Sequence, residues 1–271
     1  MERLQPDELA RFAAETARQA GRMVLEMQGR VETELKAPQD VVTEADRRSE
    51  AFIIDRILER YPGHGIVAEE GGGREGRGRY VWYIDPIDGT TNYTQQMPLH
   101  CVSIAAVADG RVEAGAVYAP ALDQLFVAAR GGGLTLNGRP AGVSRCGAIE
   151  DAVLSVDFPF GKKKGNWRFK ELRLPARGLR HIGAAALELA YVAAGLFDSY
   201  WETNLKPFDV AAGILLVEEG GGRVTDGEGG PPSLAGGEIL ATNGLLHDRL
   251  LEALAASRRA TAAGGGADEG R

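Results

Sequence analysis

The chain has 271 residues, of which 44% are hydrophobic and 25% are charged, and its formal net charge is −7 at pH 7. This composition is typical of a globular protein, and the length suffices for one large domain or two small ones with a sizeable core. The negative net charge argues against direct nucleic-acid binding and against general affinity for anionic membranes.

The first predicted element is an amphipathic helix over residues 7–28, because apolar side chains recur there at helical spacing. This segment is charged rather than an apolar signal core, and no apolar run approaches the roughly 20 residues of a membrane span. The two cysteines, Cys101 and Cys146, lack the CxxC spacing of redox and zinc sites, which fits a reducing compartment. We therefore expect a cytoplasmic protein without membrane contact.

A predicted loop from Lys36 to Asp46 leads into a second helix, which buries Ile53 and Ile57. Thr43 and Asp46 have the spacing of a capping box, in which each residue bonds the backbone at the other. Helix capping therefore explains these two residues as well as a catalytic role does. The sequence leaves both interpretations open.

The next apolar run is short, from Ile66 to Ala68, and it ends in the paired acids Glu69 and Glu70. Residues 71–79 are so rich in glycine and arginine that they predict a surface loop without core residues. Paired acids before such a loop are usually solvated. Taken alone, this pair therefore predicts no function.

The stretch 80–94 begins as a strand, because its first five residues are aromatic or β-branched. Pro86 then removes a backbone donor and is expected to end the strand. Asp85 and Asp88 therefore lie where the strand ends. Their side chains are candidates for a functional site or for capping of the local backbone.

Gly89, Thr90 and Thr91 follow these acids, where a helix start would direct its N–H groups at an anion. Acids and an anion repel each other unless a divalent cation lies between them. Ligation by oxygen atoms alone selects a hard ion such as Mg²⁺. The stretch therefore predicts a magnesium and anion site, with a simple strand-to-turn junction as the alternative.

Residues 101–108, 112–118 and 124–129 predict consecutive strands of an antiparallel meander, with Asp109 and Gly110 forming a hairpin turn. From residue 151 the pattern changes to alternating strands and helices. We expect strands at 153–156, 179–182, 197–202 and 238–242, helices at 183–196, 207–219 and 245–256, and a polar loop at 160–167. This predicts an N-terminal α+β subdomain of residues 1–150, a C-terminal α/β subdomain of residues 151–259 and a disordered tail of residues 260–271.

Asp209 lies in the first turn of the predicted helix 207–219, which Pro207 begins. An acid in the first turn is favoured by the helix dipole alone. The helix therefore accounts for Asp209 without a functional role, as it does for Asp46.

Taken together, these features resemble the inositol monophosphatase family. The segments that carry the resemblance are Thr-x-x-Asp at 43–46, Glu-Glu at 69–70, Asp-Pro-Ile-Asp-Gly-Thr-Thr-Asn at 85–92 and Lys-Pro-Phe-Asp-Val-Ala-Ala-Gly at 206–213. The octapeptide is the signature of that family, and the resemblance extends over residues 7–256. It implies an α/β (α+β layered) fold: an α/β/α/β/α sandwich with an N-terminal antiparallel sheet and a C-terminal mixed sheet.

The resemblance also implies two or three Mg²⁺ ions per active site and a Li⁺-sensitive hydrolysis of phosphate monoesters by a metal-activated water. The implied metal ligands are Glu69, Asp85, Asp88, Asp209 and the backbone carbonyl of Ile87. Chemistry agrees with this set, because clustered acids raise one another's pKa and divalent ions supply the positive charge that keeps them ionised.

Thr90 and Asp46 correspond to the family pair that orients and deprotonates the attacking water. The N–H groups around Gly89 and Thr90 correspond to those that hold the phosphate. The remaining implied substrate contacts are Asp88, Ala185, Glu202, whose carboxylate would bind inositol hydroxyls, and Arg180, near the substrate entrance and the subunit interface.

The expected reaction is hydrolysis of myo-inositol 1-phosphate and similar small polyol phosphates to the free polyol and inorganic phosphate. Histidinol phosphate, fructose 1,6-bisphosphate, 3′-phosphoadenosine nucleotides and NADP are rival substrates for the same chemistry. Glu202 favours a polyol. Ala184 stands where relatives often carry Ser or Thr, so a substrate-facing hydroxyl is missing there.

The resemblance further implies a homodimer with the region 180–196 near its interface. A second hypothesis, from a different class, is that the protein acts mainly as a binding partner of the transcription machinery, as some bacterial relatives are thought to do. The net charge makes direct RNA binding the weaker version of that hypothesis.

Overall fold

The structure is a computed structural model that describes residues 4–30, 33–37, 40–156 and 174–264. Its helices are α1 Pro6–Met27, α2 Glu44–Arg60, α3 Thr90–Thr94, α4 Ala185–Ala193, α5 Pro207–Glu219 and α6 His247–Gly264. Its strands are β1 Thr33–Ala37, β2 Asp40–Thr43, β3 Gly65–Ala68, β4 Tyr80–Asp88, β5 Cys101–Ala108, β6 Arg111–Ala119, β7 Gln124–Ala129, β8 Gly133–Leu136, β9 Arg139–Ala141, β10 Val153–Val156, β11 Gly178–Arg180, β12 Ser199–Leu205, β13 Arg223–Thr225 and β14 Gly237–Thr242.

The larger sheet has seven strands in the order β3-β4-β5-β6-β7-β8-β9. The strands from β4 to β9 pair antiparallel in chain order, which confirms the predicted meander. The pair β3-β4 is parallel, so the sheet is mixed at this edge rather than wholly antiparallel. The reason is the glycine-rich loop, in which Arg74 pairs antiparallel with Ile66 and leads the chain back to the end where β3 began.

The smaller sheet has five strands in the order β11-β10-β12-β14-β13. Strand β10 runs parallel to both of its neighbours, whereas β14 runs antiparallel to β12 and β13. This is the mixed C-terminal sheet that the family resemblance implies. Strand β13 was missed, because three residues between glycine-rich segments are too short for a recognisable alternation.

The elements stack as five layers, and three apolar clusters hold the layers together. Helices α1 and α2 cover one face of the larger sheet, α4 and α5 lie between the two sheets, and α6 packs against the outer side of the smaller sheet. Strand β5 shows how one strand serves two layers: Ile104 and Ala106 belong to the α1 side, and Ala105 and Val107 to the α4 and α5 side. The predicted α/β/α/β/α order is confirmed.

Small residues let the middle layer pack closely. A Cβ atom on Gly213 of α5 would lie 2.4 Å from Leu189 Cδ1 of α4. A Cβ atom on Gly115 of β6 would lie 3.1 Å from Ala212 Cα of α5. Both distances are shorter than an ordinary carbon contact, so these positions leave no room for a larger side chain.

Several predicted boundaries were wrong. The predicted loop 36–46 overlaps an antiparallel hairpin of β1 and β2, in which Val42 is buried, and its last residues belong to α2. Strand β4 does not end at Pro86 but continues to Asp88, because the proline lies in a β-bulge where no ladder donor is needed. Helix α4 is shorter than residues 183–196, since Gly183 and Gly195 adopt left-handed backbone angles.

At the C-terminus, α6 continues to Gly264 and includes the first residues of the predicted disordered tail. The rest of that tail and the predicted polar loop 160–167 lie outside the described residues. Within the described ranges, no helix combines the length and apolarity that a membrane span requires.

Candidate active site

The candidate site begins at the bulge of β4, which separates Asp85, paired with Ser103, from Asp88, paired with Cys101. The bulge is fixed from within, because the N–H of Ile87 donates to Asp85 Oδ1 at 3.1 Å. A bulge re-aims the side chains around it. Here it accompanies two acids that are both buried, at 2% and 7% exposure.

Asp85 has the least favourable surroundings for a negative charge. Its burial raises the pKa of its carboxyl well above the usual value, and repulsion from Glu69, Asp88 and Asp209 raises the pKa further. A hydrogen bond with Glu69 acts in the same direction. The four acids predicted as metal ligands are therefore linked electrostatically around Asp85.

Asp88 joins β4 to the start of α4. Its carboxylate accepts the N–H groups of Ala185, Ala186 and Leu187 at 3.0, 2.9 and 3.3 Å, and the thiol of Cys101 donates to Oδ2 at 3.3 Å. Burial, followed by repulsion from Asp209, raises the pKa of Asp88 to about 7, although the Cys101 and Leu187 hydrogen bonds oppose this shift. Asp88 therefore caps a helix and faces another acid at the same time.

Asp209 has a similar dual position at the start of α5. The N–H of Lys206 donates to Asp209 Oδ2 at 2.6 Å, which is the capping role that its first-turn position predicts. Burial nevertheless raises the pKa of Asp209 to about 6, against the lowering effect of Lys206. Pro207 begins this helix as predicted.

Glu69 is carried by the loop after β3, and the structure shows how that loop is anchored. Glu50 of α2 is buried, and its carboxylate accepts the N–H groups of Glu70 at 2.6 Å and Gly72 at 2.8 Å. Glu50 belongs to none of the motifs recognised in the sequence. The available signal was its position four residues after Asp46, which places both on one face of α2.

Ser49 of the same helix anchors the other side of the site, since its hydroxyl donates to the carbonyl of Pro86 at 3.1 Å. The bulge and the Glu69 loop are therefore both tied to α2. Sequence reasoning missed Ser49 because a lone serine in a helix carries no pattern.

Asp46 and Thr90, predicted to handle the attacking water, are in direct contact. Thr90 Oγ1 lies 3.2 Å from Asp46 Oδ1 and 3.0 Å from the carbonyl oxygen of Ile87. The predicted capping box is also present, because Asp46 Oδ2 accepts from the N–H and hydroxyl of Thr43 at 2.8 and 2.6 Å. Burial raises the pKa of Asp46, while its bonds to Thr43 lower it.

Gly89 forms the turn between the acids and α3. Its φ of 87° lies in the left-handed region, and a Cβ atom there would lie 3.0 Å from the Cβ of Ala184. Glycine is therefore required for two independent reasons. Asn92 ties α3 to the chain before α4 by donating to the carbonyls of Leu99 and Ile182, each at 2.8 Å.

The predicted substrate residues Ala185, Glu202 and Arg180 have different surroundings. Ala185 is at the acids, through its bond to Asp88. Glu202 of β12 accepts from the hydroxyl of Tyr200 at 2.5 Å and lies beside Glu188, which in turn raises the pKa of Asp88. Arg180 is exposed on β11, and its Nη1 donates to the neighbouring carbonyl of Leu179 at 2.8 Å.

The donor set around Asp85 suits a hard cation. Each side chain offers carboxylate oxygen, as Mg²⁺ prefers, and a positive ion would remove the repulsion that raises the pKa of Asp85. Glu69, Asp85, Asp88, Asp209 and the Ile87 carbonyl are thus chemically able to hold such an ion. Among the described residues, a different group has three ligand atoms all within 4.8 Å of one another: His181, Glu188 and Glu202.

Comparison with known proteins places this arrangement in a family. The sequence profile of the inositol monophosphatase family matches residues 5–261. An inositol-1-monophosphatase from Mesorhizobium japonicum is 39% identical over 254 residues, which cover 91% of this chain and 96% of the relative. A protein from Pseudomonas aeruginosa named Nus factor SuhB is 41% identical over 252 residues, which cover 89% of this chain and 93% of the relative.

A solved structure agrees with the sequence comparisons. The extragenic suppressor protein suhB from Bartonella henselae matches the fold with a TM-score of 0.87 at 36% identity, over 91% of this chain and 98% of that chain. The profile, the identity and the fold therefore agree over nearly the same residues. The chain belongs to the inositol monophosphatase family.

Proposed function

We propose that the protein is a Mg²⁺-dependent phosphoric monoester hydrolase that releases inorganic phosphate from myo-inositol 1-phosphate and similar small polyol phosphates. The observation that carries this proposal is the position of Asp85. Its carboxylate is buried among three further acids that repel it. A protein that placed these acids only for capping would gain nothing from bringing them together.

Two or three Mg²⁺ ions held by Glu69, Asp85, Asp88, Asp209 and the Ile87 carbonyl would supply the positive charge that activates water and stabilises the phosphate and the departing ester oxygen. The bulge in β4 supports this ligand set, because two of these carboxylates and the carbonyl lie within its four consecutive residues, 85–88. Inhibition by Li⁺ at a Mg²⁺ position is expected.

Asp46 and Thr90 are the residues that we assign to the water. A threonine hydroxyl has one proton, so Thr90 donates to either Asp46 Oδ1 or the Ile87 carbonyl and keeps lone pairs for a water molecule. Burial raises the pKa of Asp46, which makes its carboxylate a better proton acceptor than an exposed aspartate. Thr43 fixes the other oxygen of Asp46.

Substrate binding is assigned to two groups of residues, one for the phosphate and one for the polyol. The N–H groups of Gly89 and Thr90 would hold the phosphate, with Asp88 and Ala185 beside it. Glu202 would accept hydroxyl groups of the polyol. Arg180 would act at the entrance, although its bond to Leu179 means that its side chain must move to meet a substrate.

The rival substrates are histidinol phosphate, fructose 1,6-bisphosphate, 3′-phosphoadenosine nucleotides and NADP. A panel of these esters, assayed for phosphate release with and without Mg²⁺, tests the proposal. We expect the highest kcat/KM for inositol 1-phosphate. A much higher value for histidinol phosphate or a nucleotide would overturn the ranking, and absence of Mg²⁺-dependent phosphate release from every ester would overturn the enzyme assignment.

We also propose a homodimer, supported by the family resemblance alone. The chain mass is 28.9 kDa. Light scattering at micromolar concentration is therefore expected to give about twice this mass, and a value equal to the single chain would contradict the dimer. A cytoplasmic location is proposed as well, and the two free cysteines support it.

A partner in the transcription machinery is the second candidate function, favoured by the similar protein from Pseudomonas aeruginosa that is named a Nus factor. Capture from a bacterial lysate with the Asp88→Asn variant tests it independently of catalysis. Stoichiometric recovery of polymerase or ribosomal factors would support this role. Recovery equal to that of an unrelated control protein would remove its basis.

A further inference from the structure

A second group of potential metal ligands lies beside the acids of the candidate site. His181 precedes α4, Glu188 lies within α4, and Glu202 lies on β12. One ligand atom from each residue lies within 4.8 Å of the other two. Two atoms bound to the same Zn²⁺ ion at about 2.0–2.2 Å are at most about 4.4 Å apart, so this group needs only a small adjustment to hold an ion.

Glu188 provides an independent indication of a ligand. Its side chain is fully buried, and Oε1 is fixed by the hydroxyl of Ser155 and by the N–H of Ile182 at 2.9 Å. Its other oxygen, Oε2, has no hydrogen-bond partner among the described residues. Native proteins rarely leave a buried carboxylate oxygen without a partner, because its desolvation then has no compensation.

We propose that His181, Glu188 and Glu202 bind a divalent transition-metal ion such as Zn²⁺, at a site separate from the proposed Mg²⁺ ligands. An imidazole nitrogen with two carboxylates is a donor set that suits Zn²⁺ and its neighbours, whereas Mg²⁺ prefers oxygen ligands alone. The hydrogen bonds to Glu188 Oε1 hold one ligand in place before the ion arrives. The hydroxyl of Tyr200 does the same for Glu202.

The proposed ion has a consequence for the enzyme, and this step rests on the proposed function. Glu202 is both a ligand of the ion and the proposed contact for polyol hydroxyls. The ion and the polyol would therefore exclude each other from Glu202. Micromolar Zn²⁺ in the presence of saturating Mg²⁺ would act as a competitive inhibitor, and the His181→Gln variant would be less sensitive to it.

Binding of Co²⁺ tests the metal site without any substrate. Co²⁺ is titrated into the full chain in saturating Mg²⁺, and bound ion is measured by equilibrium dialysis and by visible absorption. We expect a Co²⁺ ion that Zn²⁺ displaces, and a fall in Co²⁺ affinity of about tenfold or more in both His181→Gln and Glu188→Gln. Unchanged Co²⁺ affinity in His181→Gln would overturn the proposal, as would absence of Co²⁺ binding by the parent.

Asp209→Asn is the matched control, because it alters the proposed Mg²⁺ ligands and leaves the three residues intact. This variant is expected to keep the Co²⁺ affinity of the parent. Loss of Co²⁺ binding in Asp209→Asn would place the ion among the Asp85 acids and overturn the proposal. Thermal unfolding of each variant establishes that it is folded, and His181→Gln decides the question if the buried Glu188→Gln variant does not fold.

Discussion

The acids of the candidate site differ in what else they bind, and this decides which substitution is informative. Asp88 and Asp209 accept N–H groups at the starts of α4 and α5, so their loss also costs helix capping. Asp85 accepts the N–H of Ile87 within its own bulge and otherwise faces acids. Asp85 is therefore the residue whose variant separates metal binding from capping.

We expect Asp85→Asn to leave the free energy of unfolding without Mg²⁺ unchanged or higher, because the variant removes repulsion from three neighbouring carboxylates. The rise in Tm that Mg²⁺ gives the parent should be lost, together with phosphatase activity. Thermal unfolding with and without Mg²⁺ and a phosphate-release assay measure both. An Asp85→Asn protein that keeps the full Mg²⁺-dependent rise in Tm would contradict the ligand assignment.

Thr90→Ala should separate catalysis from metal binding. The hydroxyl of Thr90 contacts Asp46 and the Ile87 carbonyl, and its proposed task is to orient water. The variant is expected to keep Mg²⁺ affinity within a few-fold and to lose kcat by about 10²-fold or more. Thr90→Ser, which retains the hydroxyl, is the control and should recover most of the rate. Equal kcat values for parent and Thr90→Ala would count against this role.

At this scale the sequence treated helix capping and a functional role as alternatives, although a capping bond does not exclude a functional role. Asp46 and Asp209 were weighed as helix caps or as functional acids. The structure shows that both make capping bonds, that Asp209 also lies close enough to repel Asp85, and that Asp46 also contacts Thr90. A capping motif predicts the local bond. It contains no information about acids that are distant in the sequence and close in the fold. Asp209 and Asp85 are such a pair.

At the scale of single elements, α2 positions parts of the site that it does not itself form. Glu50 holds the loop that carries Glu69 through two N–H groups. In Glu50→Gln the amide keeps one acceptor oxygen and turns its NH₂ group toward a donor, so at least one of these bonds is lost. We expect a fall in Mg²⁺ affinity of about 10–100-fold with the fold retained.

Isothermal titration with Mg²⁺ measures the effect of Glu50→Gln, and circular dichroism verifies the fold. Glu59→Gln is the matched control on the same helix, since its exposed ion pair with Arg56 contributes little. Equal loss of Mg²⁺ affinity in the two variants would show that Glu50 has no particular role in positioning Glu69.

The start of α6 contains a group that links stability to pH. His247 is fully buried, with Nδ1 3.0 Å from Thr242 Oγ1 and Nε2 3.0 Å from Thr225 Oγ1. The Thr225 hydroxyl donates to the carbonyl of Asp226, so it accepts from Nε2–H and the neutral ring fits the network. Burial and the charge of Arg223 lower the pKa of His247 to about 4.

Between pH 6.5 and about 4 the unfolded chain therefore binds a proton at His247 that the folded protein does not bind. The lowered pKa therefore makes the free energy of unfolding depend on pH. The stabilising contribution of the neutral His247 ring is fully present above pH 6.5 and decreases as the pH falls from 6.5 to about 4. We expect the stability difference between the parent and His247→Gln, measured by urea unfolding, to narrow from pH 6.5 to 4.5. A constant difference would contradict the lowered pKa.

Long periodic elements were predicted more accurately than short or irregular ones. Helix α5 has the predicted bounds and α1 differs by one residue, because each has a clear start signal and sustained helical spacing. The hairpin of β1 and β2 and the strand β13 were missed, since each strand has at most five residues. The extension of β4 past Pro86 depends on a bulge, which a proline rule applied to the sequence alone does not include.

At the scale of the whole molecule, the layer of α4 and α5 joins the two sheets, and its packing depends on Gly213. A Cβ atom there would overlap Leu189 of α4. We expect Gly213→Ala to lower the free energy of unfolding by about 1–3 kcal/mol in urea unfolding. Gly63→Ala is the control, because no atom lies within 4 Å of its added Cβ, and its effect should stay within about 0.5 kcal/mol. Similar costs for the two variants would refute a packing role for Gly213.

The site also crosses the boundary that composition suggests near residue 150. Asp88 of β4 bonds the start of α4, and Asp209 of α5 repels Asp85. We propose that the segments 1–150 and 151–259 are two subdomains that differ in their pattern of strands and helices. Both contribute residues to one site. The order of strands and helices predicts the two sheets. It does not predict that α5, which lies between strands β12 and β13 of the second sheet in the chain, packs on the first sheet.

The late position of α4 and α5 in the chain has a consequence during synthesis on the ribosome. The larger sheet is complete at β9, but the helices that cover its inner face, which includes Val117 and Phe126, are translated later. At a translation rate of about 5–20 residues per second, this apolar face stays exposed for several seconds before the helices can bury it. The nascent chain is therefore most open to aggregation, and most in need of a chaperone, in the interval after its first sheet has emerged.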